Sequence, residues 1–237
     1  MIKKILLVND DGIYHDTFKQ TVNEFKRLGY DITICAPLKP QSAKSHAIEI
    51  KELIKVKKVN DFGGIEAYAI DSTPADCVRY AKYYLHWEGD LVVSGINDGL
   101  NLGDDILYSG TVAAAIEAGI RGYNALALSS ERKEPQNGIS KIKKIMDFIE
   151  EARLYSKWNV WSFNVPKDPI GFKIASQGCV YFDTIFEEKK KGFFVQAGRP
   201  YHEKETNPNT DVYLINKGYI TYSAIGMIRT CNENIKN

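Results

Sequence analysis

The sequence predicts an α/β protein: a Rossmann-like, doubly wound, mostly parallel sheet followed by a C-terminal β-rich extension or arm. Three observations carry that expectation. Short apolar runs recur at residues 5–8, 31–36, 90–93 and 125–128, and each breaks into a polar turn, as strands buried on both faces do. Helical patterns fill the intervals between them. Beyond residue 130 the pattern turns aromatic and strand-like, so a division into a core of residues 1–130 and a C-terminal region of residues 131–237 is expected.

Taken in order, the first run ends in Asn9-Asp10-Asp11-Gly12. Phe18, Val22, Phe25 and Leu28 then recur at helical spacing, and Gly29 stops that helix. The second run ends at Pro37, followed by Gln41-Ser42. Residues 48–50 and 54–56 alternate apolar and charged, which reads as a half-exposed hairpin. Ser72-Thr73 before Pro74 opens a helix with proline in its first turn, over residues 74–85. The third run leads into Ser94-Gly95-Ile96-Asn97, and residues 111–118 are small enough for a helix packed closely on a sheet. A loop at 131–138 precedes a helix over 139–154, and β-like segments follow at 158–165, 172–182, 192–196 and 218–222. Residues 201–210 are polar and turn-rich, as an arm would be.

Composition removes several function classes. A net charge of +1 supplies no field for a nucleic-acid duplex or an anionic membrane. The lysine runs at 55–58, 141–144 and 189–191 have acidic neighbours and read as solvated faces. No apolar run approaches the roughly 20 residues of a membrane span, and the N-terminal run is too short for a signal-peptide core. Cys35, Cys77, Cys179 and Cys231 are scattered without metal-ligand spacing, so buried free thiols and a cytoplasmic location are expected.

The chemistry-bearing residues gather at the ends of the apolar runs. Adjacent aspartates repel unless a cation, a proton or donors compensate them. Asp10 and Asp11 therefore read either as ligands of a hard divalent ion or as a helix-start pair with Asp11 as cap. Residues 94–111 hold four glycines among Asn, Asp, Ser and Thr, a composition that turns backbone N–H groups toward a ligand. Ser109-Gly110-Thr111 opens the next helix, where free N–H groups and the dipole suit a phosphate. Asp98, Asp104 and Asp105 lie in the same segment, so a phosphate dianion there needs a metal to screen it.

These residues together resemble the SurE family of metal-dependent nucleoside-monophosphate phosphatases. The match runs through residues 8–13, Ala36-Pro37 with Gln41-Ser42-Ala43, residues 73–78 and residues 94–112, then Asn164-Val165-Pro166, Thr210-Asp211 and residues 218–221. The resemblance implies one Mg²⁺ or Mn²⁺ per subunit held by Asp10, Asp11, Ser42 and Asn97. It places substrate phosphate on Asn97, Ser109, Gly110 and Thr111, with Asn101 in support, and either aspartate at the attacking water. It also implies a dimer or tetramer with exchange of C-terminal elements. His46 reads as a general acid for the leaving ribose oxygen or as a hydrogen-bonded loop residue.

The chain departs from the family pattern near the site. Residues 45–49 read Ser-His-Ala-Ile-Glu where a Gly-His-Ser-Ile-Thr-like run is usual, Thr17 stands near an expected glycine, Ser72 replaces one, and Asp98 is acidic. These changes are expected to alter rate or specificity with the ligands intact. His15, His86 and His202 read as surface residues, and Trp87, Trp158 and Trp161 as core or interface. Two other readings stand beside the nucleotidase: a degenerate SurE-like nucleotide-binding module, and a receiver-type phosphoacceptor domain.

Overall fold

The structure, a computed structural model, describes residues 1–180, 186–196 and 204–226. The chain order is β1 (Lys4–Val8), α1 (Asp16–Arg27), β2 (Asp31–Pro37), β3 (Val56–Val59), β4 (Glu66–Ile70), α2 (Pro74–Tyr83), β5 (Leu91–Asp98) and α3 (Gly110–Ile120). It continues through β6 (Asn124–Ser130), α4 (Pro135–Glu151), β7 (Val160–Val165), β8 (Gly171–Ile174), β9 (Phe186–Lys190), β10 (Phe193–Gln196), α5 (Asp211–Asn216) and β11 (Tyr219–Ala224). A 3₁₀ turn spans Gly103–Leu107.

Among the described residues nine strands form one sheet in the order β3-β4-β2-β1-β5-β6-β7-β11-β8. The run from β4 to β7 is parallel; β3 joins β4 antiparallel, and β11 joins β7 antiparallel with β8 parallel beyond it. The strands after residue 130 thus extend the same sheet. Among the described residues, strands β9 and β10 pair only with each other.

Alternation along β1 shows why it sits at the centre. Ile5 and Leu7 pack with the apolar faces of α1 and α4, through Phe18, Val22, Ile142 and Ile145, while Leu6 and Val8 pack with α2 and α3, through Val78, Val112 and Ala115. A strand covered by helices on both faces must be apolar at every position. The alanines of α3 let that helix lie close to the sheet, and its residues 110–119 are all buried.

Chain direction away from the centre reverses between β1 and β5: β2 lies on one side of β1 and β5 on the other. Ligand crevices in such sheets open at the carboxyl ends of the strands flanking this reversal. Asn9-Asp10-Asp11 leaves β1 there, and Asn97 and Asp98 close β5 beside it.

Several local expectations change. The hairpin lies at 56–70, with Val56 opposite Ile70 and Val59 opposite Ala67. Residues 48–54 form no strand, because Ile50 and Leu53 are exposed and meet no neighbouring strand to pair with. Strand β5 runs past residue 93 to Asp98, with a register break between Ser94 and Asn97. Helix α4 begins at Pro135, four residues earlier than its periodicity indicates, because proline is preorganised for a first helical turn. His15, not Asp11, occupies the N-cap of α1, so the capping alternative for Asp11 falls away.

Cys35 and Cys77 are buried free thiols, and Cys179 is an exposed one. Trp87 and Trp161 are buried and Trp158 is partly exposed, whereas His15 and His86 are exposed. His202, Cys231, residues 181–182 of the segment read as 172–182, and residues 201–203 of the presumed arm lie outside the described residues. No helix among the described residues is long and apolar enough to cross a membrane.

Candidate active site

Asp10 follows directly on β1 and is 4% exposed. Its Oδ1 accepts a hydrogen bond of 2.5 Å from Oγ1 of Thr111, in the first turn of α3. Its backbone carbonyl accepts from the Gln41 amide at 2.7 Å, which draws the loop carrying Ser42 to the same strand end. Burial raises the Asp10 carboxyl to about 6; the Thr111 hydrogen bond opposes this, and the charge of Asp11 adds to it. Removing water from a carboxylate disfavours its charged form.

Asp11 is partly buried. Burial also raises its pKa, His15 and a backbone N–H of Asp98 counter the rise, and the Asp98 carboxylate adds to it. Its Oδ2 is buried without a hydrogen-bond partner among the described residues, as is Oδ1 of Asn9. A buried oxygen without a donor is costly unless something else fills the position.

Asn97, one residue before the end of β5, donates from Nδ2 to the Gly99 carbonyl at 2.7 Å. Asn101 is tied to the ends of two neighbouring strands. Its amide N–H donates to Oδ1 of Asn164 at 2.8 Å, its carbonyl accepts from Nδ2 of Asn164 at 3.0 Å, and its Nδ2 donates to Oγ of Ser129 at 2.7 Å. Ser129 and Asn164 lie at the carboxyl ends of β6 and β7, on the same rim. Sequence reading gave neither a role; buried polar residues closing apolar strands were the available signal. Further along this loop, Asp211 accepts from the backbone N–H groups of Gly103, Gly178 and Val212 at 2.9, 2.9 and 2.8 Å.

Ser109 caps α3, its Oγ accepting from the Val112 amide at 3.1 Å. Gly110 follows with no room for a side chain: a β-carbon there would meet Cβ of Asp10 at 2.8 Å. An eleven-residue helix therefore points its free N–H groups at the level of Asp10. Ser42 is exposed on its loop. His46 lies elsewhere on that loop, with Nε2 2.9 Å from Oε2 of Glu117 on α3. Asp98 turns toward the start of α4, where its Oδ1 accepts from the Lys133 amide at 2.7 Å.

The chemistry of the donor set bears on which ion it could hold. Among the described residues no group of three or more His, Cys, Asp or Glu side chains converges as a metal site. The rim offers two adjacent carboxylates with an unpartnered buried oxygen, while Asn97 lies near the end of β5 and the Gln41-Ser42 loop is tied to the Asp10 backbone. That is an all-oxygen set with few protein ligands, and it fits a hard ion that keeps much of its water.

The chain is similar to several known proteins. The family model described as "Survival protein SurE" matches residues 5–184. A protein named 5'-nucleotidase SurE from Caldanaerobacter subterraneus subsp. tengcongensis is 35% identical, over 98% of this chain and 94% of its own. The protein of the same name from Clostridium botulinum (strain Kyoto / Type A2) is 37% identical, over 93% of this chain and 92% of its own. The crystal structure of the SurE protein from Aquifex aeolicus superposes with a TM-score of 0.80 at 27% identity, covering 98% and 96% of the two chains.

Proposed function

The chain belongs to the SurE family, and from that premise we propose that it is a metal-dependent phosphomonoesterase converting nucleoside monophosphates to nucleoside and phosphate. One observation carries the reading. The carboxylate of Asp10 and the first turn of α3 meet through Thr111, so an acidic pair and a phosphate-binding helix end share one crevice.

Asp10, Asp11, Ser42 and Asn97 would hold one Mg²⁺ or Mn²⁺ per subunit. When bound, such an ion screens the carboxylates, polarises phosphoryl oxygens and acidifies water. The residues do the rest. Backbone N–H groups of Gly110 and Thr111, with Ser109, orient the phosphate, and Asn97 supplements them. Asn101 braces the loop through Ser129 and Asn164. Asp10 or Asp11 accepts the proton of the attacking water, and His46 protonates the ribose oxygen. Self-association as a dimer or tetramer, with exchange of C-terminal elements, completes the proposal. Its support is the β9–β10 hairpin, which leaves Phe186, Phe193 and Phe194 exposed. The composition favours a cytoplasmic location.

The test is phosphate release from nucleoside 5′- and 3′-monophosphates with Mn²⁺, with Mg²⁺ and after chelation. Metal-dependent release that is lost in Asp10→Ala supports the proposal. Nucleotide binding without release would make the chain a binding module instead.

A further inference from the structure

Glu117 is a buried acid that the family resemblance leaves without a role. Its side chain is 4% exposed and faces three partners. Oε2 lies 2.9 Å from Nε2 of His46, and Oε1 lies 3.1 Å from Nη1 of Arg79 and 3.0 Å from Nε of Arg121. Both arginines also pack on the ring of Tyr83, at 5.7 and 5.8 Å from its centroid, and Nη1 of Arg121 donates to the Tyr83 hydroxyl. An isolated buried carboxylate is costly, so this one is built in with its countercharges.

We propose that Glu117 is the positioning residue for His46, fixing its ring and tautomer so that it delivers a proton to the ribose oxygen as that group leaves. The inference rests on the phosphomonoesterase reading and deepens it.

Three features of the molecule support the assignment. The first is placement. Glu117 lies six residues beyond Thr111 on α3, or about 9 Å of helix, and helical side chains lean back toward the N-terminus. His46 lines a cavity of about 230 Å³ together with Leu107 and Ala113, which flank the phosphate-binding turn in sequence. The second is rigidity. The amide and hydroxyl of Ser45 donate to the carbonyls of Tyr108 and Leu107 at 3.0 and 2.6 Å, and the Thr73 hydroxyl donates to the Ala47 carbonyl at 2.7 Å. The loop is thus tied down on either side of His46.

The third is the tautomer. Burial alone would raise the Glu117 carboxyl, but the hydrogen bonds from His46 and Arg79 and the charge of Arg121 hold it below the usual carboxylate range. An ionised carboxylate only accepts, so Nε2 of His46 carries the proton of that bond. Nδ1 is then the nitrogen that exchanges a proton with the substrate. In the reaction the water oxygen bonds to phosphorus and the bond to the ribose oxygen breaks. The bonding pair stays on that oxygen, which takes the Nδ1 proton. The proton of the water passes to Asp10 or Asp11, and His46 is reprotonated from solvent.

The leaving group provides the test. A ribose alkoxide needs the proton; p-nitrophenolate is stable without it. We would compare a nucleoside 5′-monophosphate with p-nitrophenyl phosphate, using wild type, His46→Gln and Glu117→Gln. General-acid catalysis contributes on the order of 100-fold or more, so kcat on the nucleotide should fall about 100-fold in His46→Gln and at least about 10-fold in Glu117→Gln. Losses on the aryl phosphate should stay several-fold smaller in each. Equal losses on both substrates, or no loss on the nucleotide, would overturn the role of Glu117. If Glu117→Gln fails to fold, the same ratio in His46→Gln decides, since His46 lies on a loop. A wild type inert toward both substrates would overturn the phosphomonoesterase reading itself.

Discussion

Gly110 stands against Asp10 so closely that a β-carbon at position 110 would lie 2.8 Å from Cβ of Asp10 and 3.1 Å from its Oδ2. The contact sets how far the first turn of α3 sits from the acidic strand end. In a helix, alanine is favoured over glycine by about 1 kcal/mol, while overpacking costs about 1–3 kcal/mol. Gly110→Ala should therefore change stability by no more than about 2 kcal/mol. Its main effect should be to push the first turn of α3, where the phosphate is proposed to bind, away from Asp10, and a misplacement of about 1 Å costs about 100-fold in rate. Thermal melting and kcat/KM on a nucleoside monophosphate measure the two effects separately. Wild-type kcat/KM in a folded Gly110→Ala would remove this contact from the mechanism.

The raised pKa of Asp10 makes a prediction about stability without metal. Its pKa is 3.8 in the unfolded chain and about 6 when folded, so the folded state holds the proton more tightly. Stability then falls as pH rises from about 4 to about 6, and the full penalty persists above that. A shift of this size corresponds to roughly 2–3 kcal/mol. In the presence of chelator, Asp10→Asn should melt higher than wild type at pH 7.5, and the two should converge toward pH 4. Added Mn²⁺ should raise the melting temperature of wild type and leave the variant unmoved. A variant that melts lower at every pH would show that the charge is already compensated within the protein.

Asp211 makes a different prediction, because its carboxylate accepts from three backbone N–H groups. Alanine would strand the amides of Gly103, Gly178 and Val212 in a buried place. Each unsatisfied buried donor costs about 1–3 kcal/mol, and water entering the gap would recover part of that. Asp211→Ala should lower unfolding free energy by about 2–4 kcal/mol in urea titration. It should also loosen the loop that ends at Ser109, visible as faster amide exchange at Gly103. An unchanged denaturation midpoint would count against this clasp.

What was legible in the sequence was local. Four apolar runs, the small-residue face of α3 and the polar strand ends are each written within a dozen residues, and they were enough to give the parallel sheet in which β1 and β5 lie side by side. The alternation at 48–50 and 54–56 misled in part because periodicity reports the faces of a segment and not whether a neighbouring strand exists to pair with it. Of those residues only Val56 lies in a strand, opposite Ile70 of β4. Glu117 was hidden for a related reason. It sits in an alanine-rich helix that reads as core, and its partners Arg79 and His46 lie 38 and 71 residues away. Only the packing of α2 and the 41–49 loop on α3 brings them together. Asn101 was noticed for its loop, but its engagement with Ser129 and Asn164 depends on the order of β6 and β7 in the sheet.

Asp98 offers the sharpest probe of charge at the rim. It accepts from the Lys133 amide at 2.7 Å, and its negative charge helps to raise the pKa of Asp11. Asparagine keeps the accepting oxygen and removes the charge, so the turn toward α4 should persist. The two ligands of the site should then respond with opposite sign. A phosphate dianion bound as proposed would be repelled by Asp98 and a divalent cation attracted by it, and at a partly solvated surface such interactions are worth about 1 kcal/mol. Asp98→Asn should lower KM for a nucleoside monophosphate a few-fold and raise the metal concentration for half-activation by a similar factor. Both changes should shrink at high salt, because exposed charges are screened. If KM and metal requirement move in the same direction, Asp98 acts through the loop and not through its charge.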